Sequence, residues 1–126
     1  MGGCGNILGT LSFGGYYNLS ETNLCEKWSV SSWATTTSMN ETRAYLVGCG
    51  TVSAALAIGG EGASDYLSSV EQYNGSTWAT TSQINQGKRM MAGCGTISNA
   101  LIFGGRKAGG FVGTTILQTE KYNGSV

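Results

Sequence analysis

One spacing constrains this chain more than any other feature. Gly3-Cys4-Gly5 returns as Gly48-Cys49-Gly50 and again as Gly93-Cys94-Gly95, and Gly14-Gly15 returns as Gly59-Gly60 and Gly104-Gly105, each at a step of 45 residues. A fixed period of this length marks a repeat architecture, in which one supersecondary unit is used several times and buries its apolar faces against its neighbours. With 126 residues, the chain holds close to three such units in one domain.

The middle unit reads most cleanly. A first apolar strand is expected from Arg43 to Gly50, a turn at Thr51-Val52-Ser53, and a second strand from Ala54 to Ile58, ended by Gly59-Gly60. Alternate positions of the second strand carry Leu11, Leu56 and Leu101, then Phe13, Ile58 and Phe103. That period of two buries large residues on one face of a sheet. The interleaved Ser12, Ala57 and Ile102 are mostly small, as close stacking of sheets needs. A third strand ends at Glu71-Gln72-Tyr73, and Asn74-Gly75 then predicts a type I′ hairpin, whose two central residues both need positive φ. A fourth strand carries Trp78-Ala79-Thr80-Thr81, matched by Trp33-Ala34-Thr35-Thr36 in the first unit. Both tryptophans are expected to anchor the core. Glu26, Glu71 and Glu120 hold one place in successive units, so each is expected to make a structural hydrogen bond within its own unit.

The composition fits an all-β chain and narrows its partners. Formal net charge is zero and only 11% of residues are charged, against about 25% in an average globular protein. That balance argues against a strong electrostatic hold on nucleic acid. No apolar run approaches the length of a membrane span, and no basic segment followed by an apolar one marks a signal peptide. The 21 glycines and the absence of proline fit short strands joined by tight turns. Of the four cysteines, Cys4, Cys49 and Cys94 are locked to the repeat, and Cys25 stands where Val70 stands in the second unit. No Cys-x-x-Cys pair is present, so the thiols read as small packing residues rather than metal ligands.

A Gly-Gly pair after an apolar strand, then a Glu-x-aromatic element, a turn and a Trp together resemble the kelch repeat. The doublet occurs three times, the Glu-x-aromatic element is Glu26-Lys27-Trp28, Glu71-Gln72-Tyr73 and Glu120-Lys121-Tyr122, and the Trp occurs twice. The Gly-Cys-Gly-Thr strand and the Tyr-Asn-Gly-Ser-x-Trp turn are similar to kelch-like repeats of phage and environmental bacterial proteins, some of them tail-associated. The resemblance implies a β-propeller of four-stranded blades, with blade 1 at about 3–36, blade 2 at about 43–81 and blade 3 at about 88–126, the last lacking its final strand. It further implies a binding or structural module, on a virion or another extracellular surface, contacting a receptor or glycan. An intracellular protein-interaction scaffold is the alternative, and a fragment of a glycan-active enzyme a more distant one.

Fewer than three blades do not close a propeller, which typically has four to eight. Open apolar faces and unpaired edges invite association. Two expectations follow: the sequence is a piece of a longer product, or two copies assemble into a six-bladed ring. The first is favoured here.

Binding on such a scaffold is expected in the variable loops. The loops between the second and third strands carry Tyr16 and Tyr17 in the first unit, and Glu61, Asp65 and Tyr66 in the second. In the third, Gly-Gly to Glu takes fifteen residues instead of eleven, and the surplus lies within Arg106, Lys107, Ala108, Gly109, Gly110 and Phe111. Inter-unit loops add Asn40, Glu41 and Arg43, then Asn85, Lys88 and Arg89. A face mixing Tyr, Asn and a few charges suits polar contacts with protein or sugar. Catalysis is not expected. The chain contains no His, which removes Ser-His-Asp and Cys-His pairs and the His ligands of kelch-type copper oxidases. Glu61 and Asp65 are near enough in sequence to form a carboxylate pair, but a loop spacing of this kind is weak evidence. No cofactor site is indicated.

Overall fold

The computed structural model describes residues 1–108 and 114–124. Every regular element among them is β. Strands Gly2–Asn6, Gly9–Phe13, Cys25–Ser29 and Ser32–Thr36 form a first antiparallel sheet in chain order. Val47–Thr51, Ala54–Ile58, Ser69–Tyr73 and Trp78–Gln83 form a second of the same order. Ala92–Thr96, Asn99–Phe103 and Thr119–Tyr122 form a three-stranded third. Register repeats with sequence: Cys4 faces Leu11, Cys49 faces Leu56, and Cys94 faces Leu101.

Two local expectations are corrected. The first strand of the middle unit begins at Val47, because Tyr45 sits at φ 52° and turns the chain before the ladder starts. Met90, one repeat later, turns it the same way at φ 56°. The Asn74-Gly75 hairpin is a four-residue loop between the paired Tyr73 and Trp78, and only Gly75 has positive φ. Asn74 Oδ1 instead accepts hydrogen bonds from the amides of Ser76 and Thr77, at 3.0 and 2.9 Å. A side-chain turn thus replaces the type I′ backbone turn.

The sheets stack through alternate strand residues. Leu11, Phe13 and Cys25 of the first sheet meet Ala55, Ala57, Tyr73 and Trp78 of the second. Leu56, Ile58 and Val70, on the opposite face of the second sheet, meet Ala100, Ile102 and Tyr122 of the third. The second sheet is therefore covered on both faces, and the outer sheets on one each. This corrects two expectations. Leu101 and Phe103 are about half exposed, because no described segment covers the outward face of the third sheet. Trp78 is 5% exposed and packs on Phe13 and Tyr73, whereas Trp33 is 49% exposed. Trp33 lies on the outward side of the first sheet, where its ring meets that of Trp28 of its own sheet.

The repeated glycines set how closely the sheets approach. A Cβ on Gly48 would lie 2.6 Å from the Gly3 nitrogen, so the first strands of neighbouring sheets touch backbone to backbone. Gly60, at φ 103°, turns its backbone toward the Ala44 carbonyl and leaves no room for a side chain. The cysteines between the glycines are free. Desolvation pushes the thiols of Cys25 and Cys49 up to about 11 and that of Cys4 up to about 12, so they stay protonated at neutral pH. Among the described residues no group of three or more Cys, Asp or Glu could hold a metal ion.

Candidate binding face

The segments between sheets are straps, and each staples two sheets together. The first runs through Met39 to Arg43. Its backbone bonds the first sheet's loop: Met39 N to Asn23 O at 2.9 Å, Arg43 N to Thr22 O at 3.1 Å, and Gly15 N to Arg43 O at 2.8 Å. Its side chain enters the second sheet. There the buried Arg43 guanidinium donates to Gly59 O at 2.9 Å, to Ser69 O at 3.1 Å and to Glu71 Oε1 at 2.8 Å. Glu71 also accepts from the amides of Asn40 and Glu41, at 2.6 and 3.1 Å. The second strap repeats the scheme. Ile84 N and Lys88 N bond Ser68 O and Leu67 O, Gly60 N bonds Lys88 O, and Lys88 Nζ meets Glu120 Oε1 at 2.5 Å while Asn85 N donates to Glu120 Oε2. Glu71 and Glu120 thus each hold the basic residue that opens their own unit, Arg43 and Lys88, and also take amides of the strap just before it, from Asn40, Glu41 and Asn85. Glu26 is exposed, with no strap against it among the described residues.

The straps and the loops beside them carry a cluster of aromatic and charged side chains. The turn at Tyr45 places its ring 5.5 Å from that of Tyr16, edge to face. The Arg89 guanidinium lies over both Tyr45, at 5.3 Å, and Tyr66, at 4.8 Å. Glu61 pairs with Arg89, and Tyr16 Oη donates to Glu21 at 3.2 Å and to Glu61 at 3.4 Å. Desolvation and the two carboxylates hold the Tyr16 phenol above its ordinary range, so it remains a donor. For Arg89, desolvation alone would lower the pKa; the hydrogen bond and charge of Glu61 outweigh it, and the net direction is up.

The residues singled out from sequence fall in several places. Tyr16 and Tyr66 join one cluster, bridged by Arg89 and Tyr45. Tyr17 is well exposed beside it. Asp65 turns back on its own loop, accepting from Tyr66 N at 2.7 Å, while Glu61 is engaged by Arg89 and Tyr16. Arg106 and Lys107 pair in register with Arg89 and Lys88 and with Thr115 and Thr114, as one small three-stranded sheet. Phe111 lies outside the described residues. Tyr45 was missed because its place inside an apolar run reads as strand. The 45-residue step that aligns it with Met90, at the junction of strap and sheet, is the signal that marks it.

Chemically the face offers exposed phenol rings, a neutral phenol donor, and carboxylates already oriented by an arginine. It can stack against flat or apolar surfaces and exchange hydrogen bonds with hydroxyl or amide groups. No family model matches the chain, and no curated protein matches it.

Proposed function

We propose that this chain is a segment of a kelch-type β-propeller and serves as a non-enzymatic binding module, contacting a surface receptor or glycan through the strap-and-loop face. The four-stranded antiparallel sheets, stacked face to face at a fixed repeat, support the propeller reading. The observation that carries the binding reading is the cluster of Tyr16, Tyr45 and Tyr66 around Arg89, drawn from three separate loops and half open to solvent. Loops of this kind on a rigid scaffold are where recognition usually resides.

The test is a binding screen of the purified chain against a glycan panel and immobilised candidate receptors, repeated with Tyr16→Ala and Tyr45→Ala. Binding weakened about tenfold or more by both variants supports the reading, as loss of aromatic contacts would produce. Binding indifferent to both places the site elsewhere. Hydrolysis or oxidation of any panel sugar that is lost in Glu61→Gln would replace the binding module by an enzyme.

A further inference from the structure

We propose that the outward face of the first sheet is a docking site for a polypeptide strap carrying arginine or lysine, with Glu26 as its anchor. This site borders the loop face, since Tyr16 and Tyr17 also line its cavity, but its test reads Glu26, which the loop-face test leaves untouched. The argument rests on the repeat. The second sheet receives the Arg43 side chain on Gly59 O, Ser69 O and Glu71, and the third receives Lys88 on Glu120. One step of 45 residues earlier, the same atoms are Gly14 O, Leu24 O and the Glu26 carboxylate. Their backbone is already set: Gly14 N donates to Leu24 O at 3.0 Å, as Gly59 N does to Ser69 O at 3.1 Å. Where the guanidinium sits in the second sheet, the first has a cavity of about 300 Å³ lined by Ser12, Gly14, Leu24, Glu26 and Thr35.

A second observation points to the same face. Trp28 and Trp33 hold the places of Tyr73 and Trp78, which the first sheet buries to 1% and 5% exposure. Trp33 stays 49% exposed and stacks on Trp28. The face therefore carries both parts of the interface that the second sheet makes with the first: an aromatic pair and a carboxylate at the end of a cavity.

The chemistry of the occupant follows from the two filled examples. It is a chain segment of the form Asn-x-x-Arg or Asn-x-x-Lys. The Asn amide donates to the carboxylate, and the basic side chain three residues on enters the cavity. A second copy of this chain is a weaker candidate. Its outward Leu101 and Phe103 would suit the tryptophans, but its described straps are held within its own sheets. That outward face also carries Lys121, opposite Leu101 in register, but no Asn-x-x-Arg or Asn-x-x-Lys strap to enter the cavity.

The experiment titrates a fluorescein-labelled synthetic peptide of residues 37–46, the first strap, with the whole chain and reads anisotropy. Saturable binding is expected. Glu26→Gln in the chain and Arg43→Ala in the peptide should each weaken it about tenfold or more, the loss expected for a charge-assisted hydrogen bond. Arg43→Lys in the peptide should retain binding, since the third sheet takes lysine. Glu26 is exposed, so its substitution leaves folding intact, and circular dichroism checks this. No saturable change up to millimolar chain, or binding indifferent to Glu26→Gln, overturns the proposal. Sedimentation of the chain alone separates the other occupant. A dimer lost on Leu101→Ser but kept in Glu26→Gln makes the face a copy-to-copy contact, and also overturns it.

Discussion

Replacing Glu71 with glutamine should remove a large part of the chain's stability, while the same change at Glu26 should remove almost none. The two residues hold the same place in the repeat and look equivalent in sequence. In the structure Glu71 and Arg43 are both fully buried, and the carboxylate takes two backbone amides and the guanidinium together. A glutamine offers one acceptor atom to three donors, and its own NH₂ must face one of them. Arg43 would keep its bonds to Gly59 O and Ser69, but its remaining carboxylate, Glu41, has a side chain 44% exposed and so is weakly coupled. Breaking one partner of a buried pair costs about 3–5 kcal/mol, out of a total of roughly 5–15 kcal/mol for a domain. The thermal midpoint should fall by roughly 10–15 °C. Glu120→Gln should be intermediate, about 2–3 kcal/mol, since Glu120 is 12% exposed and meets one lysine and one amide. Glu26→Gln should stay within about 0.5 kcal/mol. Guanidinium unfolding of the three variants, followed by circular dichroism and by fluorescence, measures the order directly. Equal effects at all three positions, or a loss below about 1 kcal/mol at Glu71, would refute the view that the glutamates act through the straps. A double variant with Arg43→Met and Glu71→Leu should recover only part of the loss, because it removes the lone buried charge but leaves the Asn40 and Glu41 amides and the Gly59 carbonyl without these partners.

The tryptophans should separate in the same way. Trp78→Ala should cost about 3–5 kcal/mol, and Trp33→Ala, on the outward face, about 1 kcal/mol or less; denaturant midpoints decide it. Gly48→Ala should destabilise by about 1–3 kcal/mol, because the new methyl would meet Gly3 N at 2.6 Å and Phe13 Cζ at 2.8 Å; hydrogen exchange in the Gly2–Asn6 and Val47–Thr51 strands should rise. Stability should also fall in alkali. Burial raises the thiols of Cys25 and Cys49 from an ordinary 9.0 to about 11. The stabilisation is complete below pH 9. Above it the unfolded chain releases protons that the folded chain keeps, at a cost of up to about 1.4 kcal/mol per pH unit per thiol, until the folded value is passed. Cys25→Ala and Cys49→Ala should each flatten that decline between pH 9 and 11.

The ladders were legible because period and strand pattern agree. The second strand, Ala54–Ile58, follows directly from its alternation and its closing glycines. The straps were not, because Asn40/Asn85 and Arg43/Lys88 recur at the 45-residue step without the alternation that marks a strand. Arg43 reads as the start of an apolar strand until the positive φ of Tyr45 separates the two. The glutamates were legible as structural but not in their direction: a sequence shows that Glu71 recurs, not that its partners lie thirty residues upstream across a sheet interface. Trp33 shows the converse limit. Repeat position predicts what a residue packs against only when the neighbouring unit is there to supply it.

On the proposed binding role, folding and recognition meet at the same elements. The strap that ends in Arg43 turns at Tyr45, and the strap that ends in Lys88 continues into Arg89, the residue that gathers Tyr45 and Tyr66. The buried cation fixes where the following residue emerges, so the candidate binding face is held by the same staples that join the sheets. Loosening a staple should then disturb recognition as well as stability. Loop sites tied to the scaffold by buried charge in this way need no core of their own, and their side chains are free to vary. That matches the contrast between the constant Gly-Gly and Glu positions and the varied residues at Tyr16, Glu61 and Arg106, which occupy one repeat position with three different chemistries.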